Sequence, residues 1–281
     1  MTTPPASALL PAGGGPPVRA VLLDIDGTLS LHRVPIPGAA ATLAWLRDRG
    51  MQFRVTTNID SQSPEAVCAD LNGAGLEVEP GAVFTPVVAA LRYLERRPSE
   101  RCHLLLTREL AARFAAHDAA GGPADHVLVG DCRELTGYTQ LDAAFRQLMQ
   151  GADLLALQRG RRWQAPDGPS LDTGSFVALL EYASGKTARS FGKPSPDFFE
   201  MALSDLGCTA SEVVVVGDDP ETDLAGARAV GARCVLVRTG KFDARTAAPA
   251  AVPIAVIDSI AGLPALLEAD PAPGPSIHLS T

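Results

Sequence analysis

The apolar residues of this chain fall into short, unbroken blocks that each end in polar residues. Val18 to Leu23 shows no alternation, as expected for a strand buried on both faces, and it stops at Asp24, Asp26 and Gly27. A helical pattern follows over 39–49, where Leu43 and Leu46 share a face and Gly50 stops it. Met51 to Thr56 is the next strand, closing on Thr57-Asn58, and a further helix runs from about Pro64 to Gly73–Gly75. The punctuation returns late in the chain. VVVVGDDPETD is a four-valine strand running into acidic residues, followed by a helix over 224–230 and strands over 234–237 and 255–257. Strands alternating with helices predict a parallel sheet of right-handed βαβ units. Ligands of such sheets sit at the carboxyl ends of the strands, so the polar residues closing three of these strands are expected to converge.

Between these halves lies a second αβ series: 83–96, 102–107, 127–129, 141–149, 154–157 and 176–183. With strands and helices of its own, it reads as an inserted domain rather than a loop. The expected organisation is a discontinuous core over 18–79 and 188–268, an insert over 80–187, and two tails. The tails, 1–17 and 269–281, are dense in Pro and Gly and are expected to be disordered.

Composition narrows the partners. The 24 basic and 32 acidic residues give a net charge of −8, which argues against a general nucleic-acid or anionic-membrane binder. Any anionic substrate must be attracted by something other than the global charge. The five cysteines, at 68, 102, 132, 208 and 234, form no C-x-x-C pair and read as reduced thiols. No apolar run approaches the roughly 20 residues needed to cross a bilayer. The N-terminus lacks the basic start and apolar stretch of a signal peptide, so a cytoplasmic location is expected.

The candidate chemistry begins at DIDGT. The functional reading of Asp24 and Asp26 is a nucleophile and an acid/base pair: Asp24 would attack an electrophilic centre, and Asp26 would protonate the leaving group and later activate water. An isolated D-x-D-G also serves as a turn cap. Two carboxylates this close repel, so a cation is needed to keep Asp24 ionised, and hard oxygen ligands without a His/Cys cluster point to Mg²⁺. Thr57-Asn58 adds a hydroxyl and a turn rich in backbone amides. Lys193, in FGKPSPDFF, stands at a loop-to-helix junction, where a solvated surface lysine is the structural alternative. Asp218, Asp219 and Asp223 follow a strand too apolar to be exposed; their alternative is charge favoured at a helix N-terminus. Singly, each alternative competes. In this order and together, they do not.

In these four motifs, DIDGT, TTN, GKPSP and GDDPETD, the sequence resembles the haloacid dehalogenase (HAD) superfamily of aspartate-nucleophile phosphohydrolases. The stretches LLEYASG, GKPSPDFF and VRTGKF resemble more narrowly the subfamily IIA hydrolases with a C2-type cap, the subgroup of phospholysine, phosphohistidine and inorganic pyrophosphate phosphatases. The resemblance implies a Rossmann-like three-layer αβα core with a parallel sheet, plus an inserted smaller α/β cap. It implies an aspartyl-phosphate on Asp24, with Asp26 as general acid then base, and Thr57, Asn58 and Lys193 holding the phosphoryl oxygens. Mg²⁺ would take Asp24, the Asp26 main-chain carbonyl and Asp218, with Asp223 behind them and Asp219 orienting Lys193 or a metal-bound water. Implied partners are a small phosphorylated substrate and a second copy of the chain, joined through the cap.

The chain departs from the family pattern at Ile59-Asp60, at Arg162 and in the loop LDTGS, which bears on the substrate. Arg161, Arg162 and Asp172 are the candidate substrate contacts of the cap. SGKT at 184–187 lacks the earlier glycine of a P-loop, because position 180 is Leu180. The rival readings are a phospho-accepting receiver that holds its phosphate, and a phosphate-binding protein without turnover on the same fold.

Overall fold

The computed structural model describes residues 16–133, 136–165, 167–242 and 255–269. The two tails expected to be disordered lie outside the described residues, apart from 16–17 and 269.

The blocks of apolar residues become the strands Ala20–Asp24, Gln52–Thr56, Val213–Gly217, Arg233–Val237 and Ala255–Ile257. Every residue of Ala20–Asp24 and of Val213–Gly217 is buried, which is why neither run alternates. All pair in parallel in the order Ala255–Ile257, Arg233–Val237, Val213–Gly217, Ala20–Asp24, Gln52–Thr56, with Val83–Phe84 at the edge. The chain leaves Ala20–Asp24 for a neighbour on one side and later returns to its other side. Successive connections therefore diverge there and open a crevice at the carboxyl ends. Register decides what lines it. Leu23 pairs with Val216 and Asp24 with Thr56, so Asp24 is level with the end of both neighbouring strands.

Contacts along the chain define two compact units. The first comprises Met1–Thr56, Cys68–Val83 and Ala202–Thr281; the second, Thr57–Val67 and Phe84–Met201. The second unit is thus larger than the insert expected over 80–187. It holds 57–67 because Asn58 and Asp60 bond to residues beyond 157 in sequence.

The second unit has a four-stranded parallel sheet of its own, in the order Arg189–Ser190, Asp153–Ala156, His126–Val129, Cys102–Leu105. Leu105, Val127, Val129 and Leu154 of this sheet pack with Ala144 and Leu148 of the helix Tyr138–Met149 and with Val177 and Leu180 of the helix Thr173–Ser184. Truncating one such leucine to alanine costs about 2–5 kcal/mol. Local capping sets the helix ends. Thr85 accepts the Val88 amide just before Pro86, so the segment 83–96 becomes a two-residue strand and then the helix Pro86–Glu95. Asp172 caps Thr173–Ser184 through the Thr173 amide, and Gly185 ends it in the left-handed region. An antiparallel hairpin, Arg162–Ala165 with Gly168–Leu171, completes the unit.

None of the five cysteines is in a disulfide. No helix among the described residues is long and apolar enough to cross a membrane.

Candidate active site

Within the first unit, three carboxylates meet at the ends of two adjacent strands. Asp24 is the last residue of its strand, and Asp218 follows Gly217 directly. Asp223 arrives from Pro220–Leu224, a single wide π turn leading into the helix Ala225–Val230. One oxygen from each of Asp24, Asp218 and Asp223 lies within 4.8 Å of the others. All three residues are buried, with relative exposures of 6%, 1% and 1%.

The backbone around them is shaped to admit this. A Cβ on Gly27 or on Gly240 would lie 2.1 Å from Asp218 Oδ2, and both glycines have positive φ, +86° and +78°. The Lys241 amide donates to the same oxygen at 2.6 Å. Asp219 caps its own turn, accepting from the Glu221 amide at 2.8 Å, and receives Lys241 Nζ at 3.4 Å.

Burial pushes the Asp218 carboxyl up to about 6; the Lys241 amide works against this, while the charges of Asp223 and Asp219 add to it. Burial acts to lower Lys241, but Asp219, Asp218 and Asp24 hold its ammonium above the ordinary value. Three carboxylates this close and this dry repel one another unless positive charge joins them. The donors are hard oxygens with no His or Cys among them, a set that suits Mg²⁺.

Asp26 lies apart from this cluster: its side chain is exposed, and its backbone bridges to Ser30 in the turn after the strand. Asp223, expected behind the direct ligands, presents its oxygen as closely as Asp24 and Asp218 do.

The second unit holds the other expected residues. Asn58 clamps Lys193 by both polar atoms of its backbone: Nδ2 donates to the Lys193 carbonyl at 2.9 Å and Oδ1 accepts its amide at 2.7 Å. Lys193 is buried. The Thr57 hydroxyl accepts the Ile59 amide at 3.1 Å and retains its own proton to donate. Asp60, two residues on, is buried and accepts the Thr173 hydroxyl at 2.7 Å. Burial pushes its carboxyl up to about 7; the Thr173 bond opposes this, and Asp172 and Asp131 add to it. Of the cap candidates, Arg161 and Arg162 are exposed at the start of the hairpin, while Asp172 is half-buried and committed to the helix cap and to Gln158.

Two family models match the chain: haloacid dehalogenase-like hydrolase over residues 21–120 and HAD-hydrolase-like over 190–263. Haloacid dehalogenase-like hydrolase domain-containing protein 2 of Homo sapiens is 35% identical over 227 residues, spanning 81% of this chain and 86% of that protein. The chain belongs to the haloacid dehalogenase-like hydrolase family. This hydrolase is also 35% identical over 231 residues to phospholysine phosphohistidine inorganic pyrophosphate phosphatase of Bos taurus, covering 80% of this chain and 84% of that one. Among solved structures it matches 4-nitrophenylphosphatase from Thermotoga maritima with a TM-score of 0.80 at 26% identity, covering 88% and 96% of the two chains. NagD from E. coli matches with a TM-score of 0.81 at 25% identity, covering 87% and 98%. The enzyme is a phosphatase of the HAD type, with an α/β core and a cap.

Two features of the structure carried no role in the sequence, one in each unit. Gly240 and Lys241 shape and bond Asp218; both lie in VRTGKF, a stretch that resembles the family but by itself gave neither residue a role. Asp60 was visible only as a departure from the family pattern. A groove of about 670 Å³ beside Arg47, Gln52, Arg54, Asn72 and Glu79 lies elsewhere in the first unit. It borders the amino end of the strand Gln52–Thr56, the end of a parallel sheet that does not carry ligands.

Proposed function

We propose that this hydrolase is a Mg²⁺-dependent phosphatase that works through an aspartyl-phosphate on Asp24. The observation that carries the reading is the buried cluster of Asp24, Asp218 and Asp223 at the carboxyl ends of adjacent strands. Asp24, Asp218, Asp223 and the main-chain carbonyl of Asp26 would hold the metal. Held there, Mg²⁺ would supply the positive charge that neutralises the carboxylates and the phosphoryl group.

A carboxylate oxygen of Asp24 attacks phosphorus, and the bond from phosphorus to the leaving oxygen breaks. The Asp26 carboxyl, exposed beside the strand end, gives its proton to that oxygen. The resulting Asp26 carboxylate then takes a proton from water, whose oxygen attacks phosphorus. The bond to Asp24 breaks, releasing inorganic phosphate and restoring both carboxyl groups. Lys193 and the Thr57 hydroxyl supply positive charge and a donor to the phosphoryl oxygens. Asn58 contributes its main-chain amide and fixes Lys193 through its side chain. Arg161 and Arg162 are the proposed cap contacts of a substrate with further negative charge, with Asp172 holding the segment before them.

The relatives' names support a phosphate ester, a phosphoramidate or pyrophosphate as the substrate class. The test is hydrolysis of 4-nitrophenyl phosphate in Mg²⁺ by the wild type and by Asp24→Asn, with circular dichroism to verify folding. The variant is expected to lose turnover by at least about 10³-fold, and chelation by EDTA to stop the wild type. Wild-type turnover in the variant overturns the nucleophile; turnover after thorough chelation removes the metal.

A further inference from the structure

Asp60 is buried in the second unit, yet no step above uses it. Its carboxylate joins three segments. Oδ2 accepts the Thr173 hydroxyl at 2.7 Å, at the first turn of the helix Thr173–Ser184. Oδ1 lies 3.5 Å from Gln158 Nε2, a long contact, and the same Gln158 nitrogen donates to Asp172 Oδ1 at 2.9 Å. Gln158 Oε1 in turn accepts the Gly160 amide.

The loop that carries Asp60 also carries Asn58, whose side chain holds the backbone of Lys193. The third side of the assembly is Gly192. A Cβ there would lie 2.7 Å from the Cβ of Gln158, 2.9 Å from the Leu157 carbonyl and 3.0 Å from Asn58 Oδ1. The segment after the strand Asp153–Ala156, the 57–60 loop and Gly192-Lys193 therefore pack with no room for a side chain between them.

We propose that Asp60 is a positioning residue for Lys193, fixing the loop whose Asn58 clamps the lysine and tying that loop to the cap segment 158–173. The inference deepens the phosphatase reading and rests on it, because Lys193 matters as a phosphate-binding group. Its consequence concerns specificity. Gln158 and Asp172 hold the start and the end of the stretch that bears Arg161 and Arg162, so the placement of the cap arginines and the placement of Lys193 share one buried carboxylate. The charged and titratable groups around it are Asp172, Asp131, Arg133 and the Cys132 thiol. Arg133 is committed to Asp131 through two bonds, of 2.8 and 2.6 Å, which leaves the hydroxyl and the amide as the donors to Asp60.

A double-mutant cycle on the full-length protein tests this. Equilibrium binding of inorganic phosphate in Mg²⁺ is measured by calorimetry for the wild type, Asp60→Asn, Lys193→Met and the double variant. Asp60→Asn is expected to weaken phosphate binding about tenfold when Lys193 is present, and about twofold or less when it is Met. Equal weakening in both backgrounds, or none in either, overturns the proposal, since a purely structural role shifts melting without that coupling. Thr173→Val removes the shortest contact but keeps the carboxylate. It is expected to show coupling of the same sign, and it carries the test if Asp60→Asn does not fold. If Lys193→Met alone leaves phosphate binding unchanged, the phosphate-binding reading of Lys193 fails first and the inference falls with it. That result is distinct from a Lys193 effect without coupling to Asp60.

Discussion

Asp218 occupies a space that two glycines leave for it. Gly240 has a φ of +78°, and a Cβ on it would sit 2.1 Å from Asp218 Oδ2 and 2.7 Å from the Gly27 Cα. Neither neighbour can yield, because one is a buried carboxylate and the other backbone. Gly240→Ala is therefore expected to cost about 1–3 kcal/mol in strain. It should also displace Asp218 enough to lower turnover about 10²-fold, as misplacement on the order of 1 Å does. Urea unfolding and kcat on 4-nitrophenyl phosphate check both parts; wild-type values in both would show that the glycine is not required. Asp24 and Asp218 were legible in the sequence because each is an acidic residue set at the end of an unbroken apolar run. The roles of Gly240 and Lys241 were not, although VRTGKF marks their stretch as family-like, because they act on Asp218 through missing side-chain volume and a backbone amide, which residue type alone does not announce.

At the level of elements, the strands were legible wherever burial on both faces produced an unbroken apolar block, as in Ala20–Asp24 and Val213–Gly217. The hairpin Arg162–Ala165 with Gly168–Leu171 escaped notice because its residues are mostly exposed or half-buried, so no apolar block marks it. The π turn Pro220–Leu224 escaped for another reason: DPETD reads as an ordinary acidic helix start, and one extra residue per turn leaves no trace in periodicity.

The 57–60 loop yields a prediction of its own in pH. Asp60 has its carboxyl raised from 3.8 to about 7, and metal-free Asp218 from 3.8 to about 6. A folded state that binds protons more tightly than the unfolded chain is most stable below the unfolded value and loses that advantage as pH rises. In chelator, wild-type stability is thus expected to fall between about pH 4 and pH 7 through these two groups. Asp60→Asn should flatten the upper part of that slope, above about pH 6, as read from melting temperatures across the range. An unchanged slope in the variant would show that Asp60 ionises as an ordinary carboxyl.

For the whole molecule, the net charge of −8 is a poor guide to what it binds. Three buried acidic residues, Asp24, Asp218 and Asp223, gather at the ends of two adjacent strands, where the proposed cation would join Lys241 in reversing the local sign. The family was legible from four motifs in order, and the parallel core sheet and the inserted domain from strands alternating with helices. The extent of the second unit was not, because it depends on side-chain bonds from Asn58 and Asp60 to residues far along the chain. All of the proposed chemistry turns on one covalent bond between phosphorus and Asp24. The measurement that tests it most directly is mass spectrometry of the Asp26→Asn variant, quenched in acid during incubation with 4-nitrophenyl phosphate and Mg²⁺. 4-Nitrophenolate is weakly basic and leaves without the proton that Asp26 would give, whereas loss of the general base slows the second step; the intermediate should accumulate, so the peptide containing Asp24 is expected to carry one phosphoryl group, bound to that carboxylate. Turnover with Asp24 unmodified at every quench time, or with the phosphoryl group on another residue, would contradict the account.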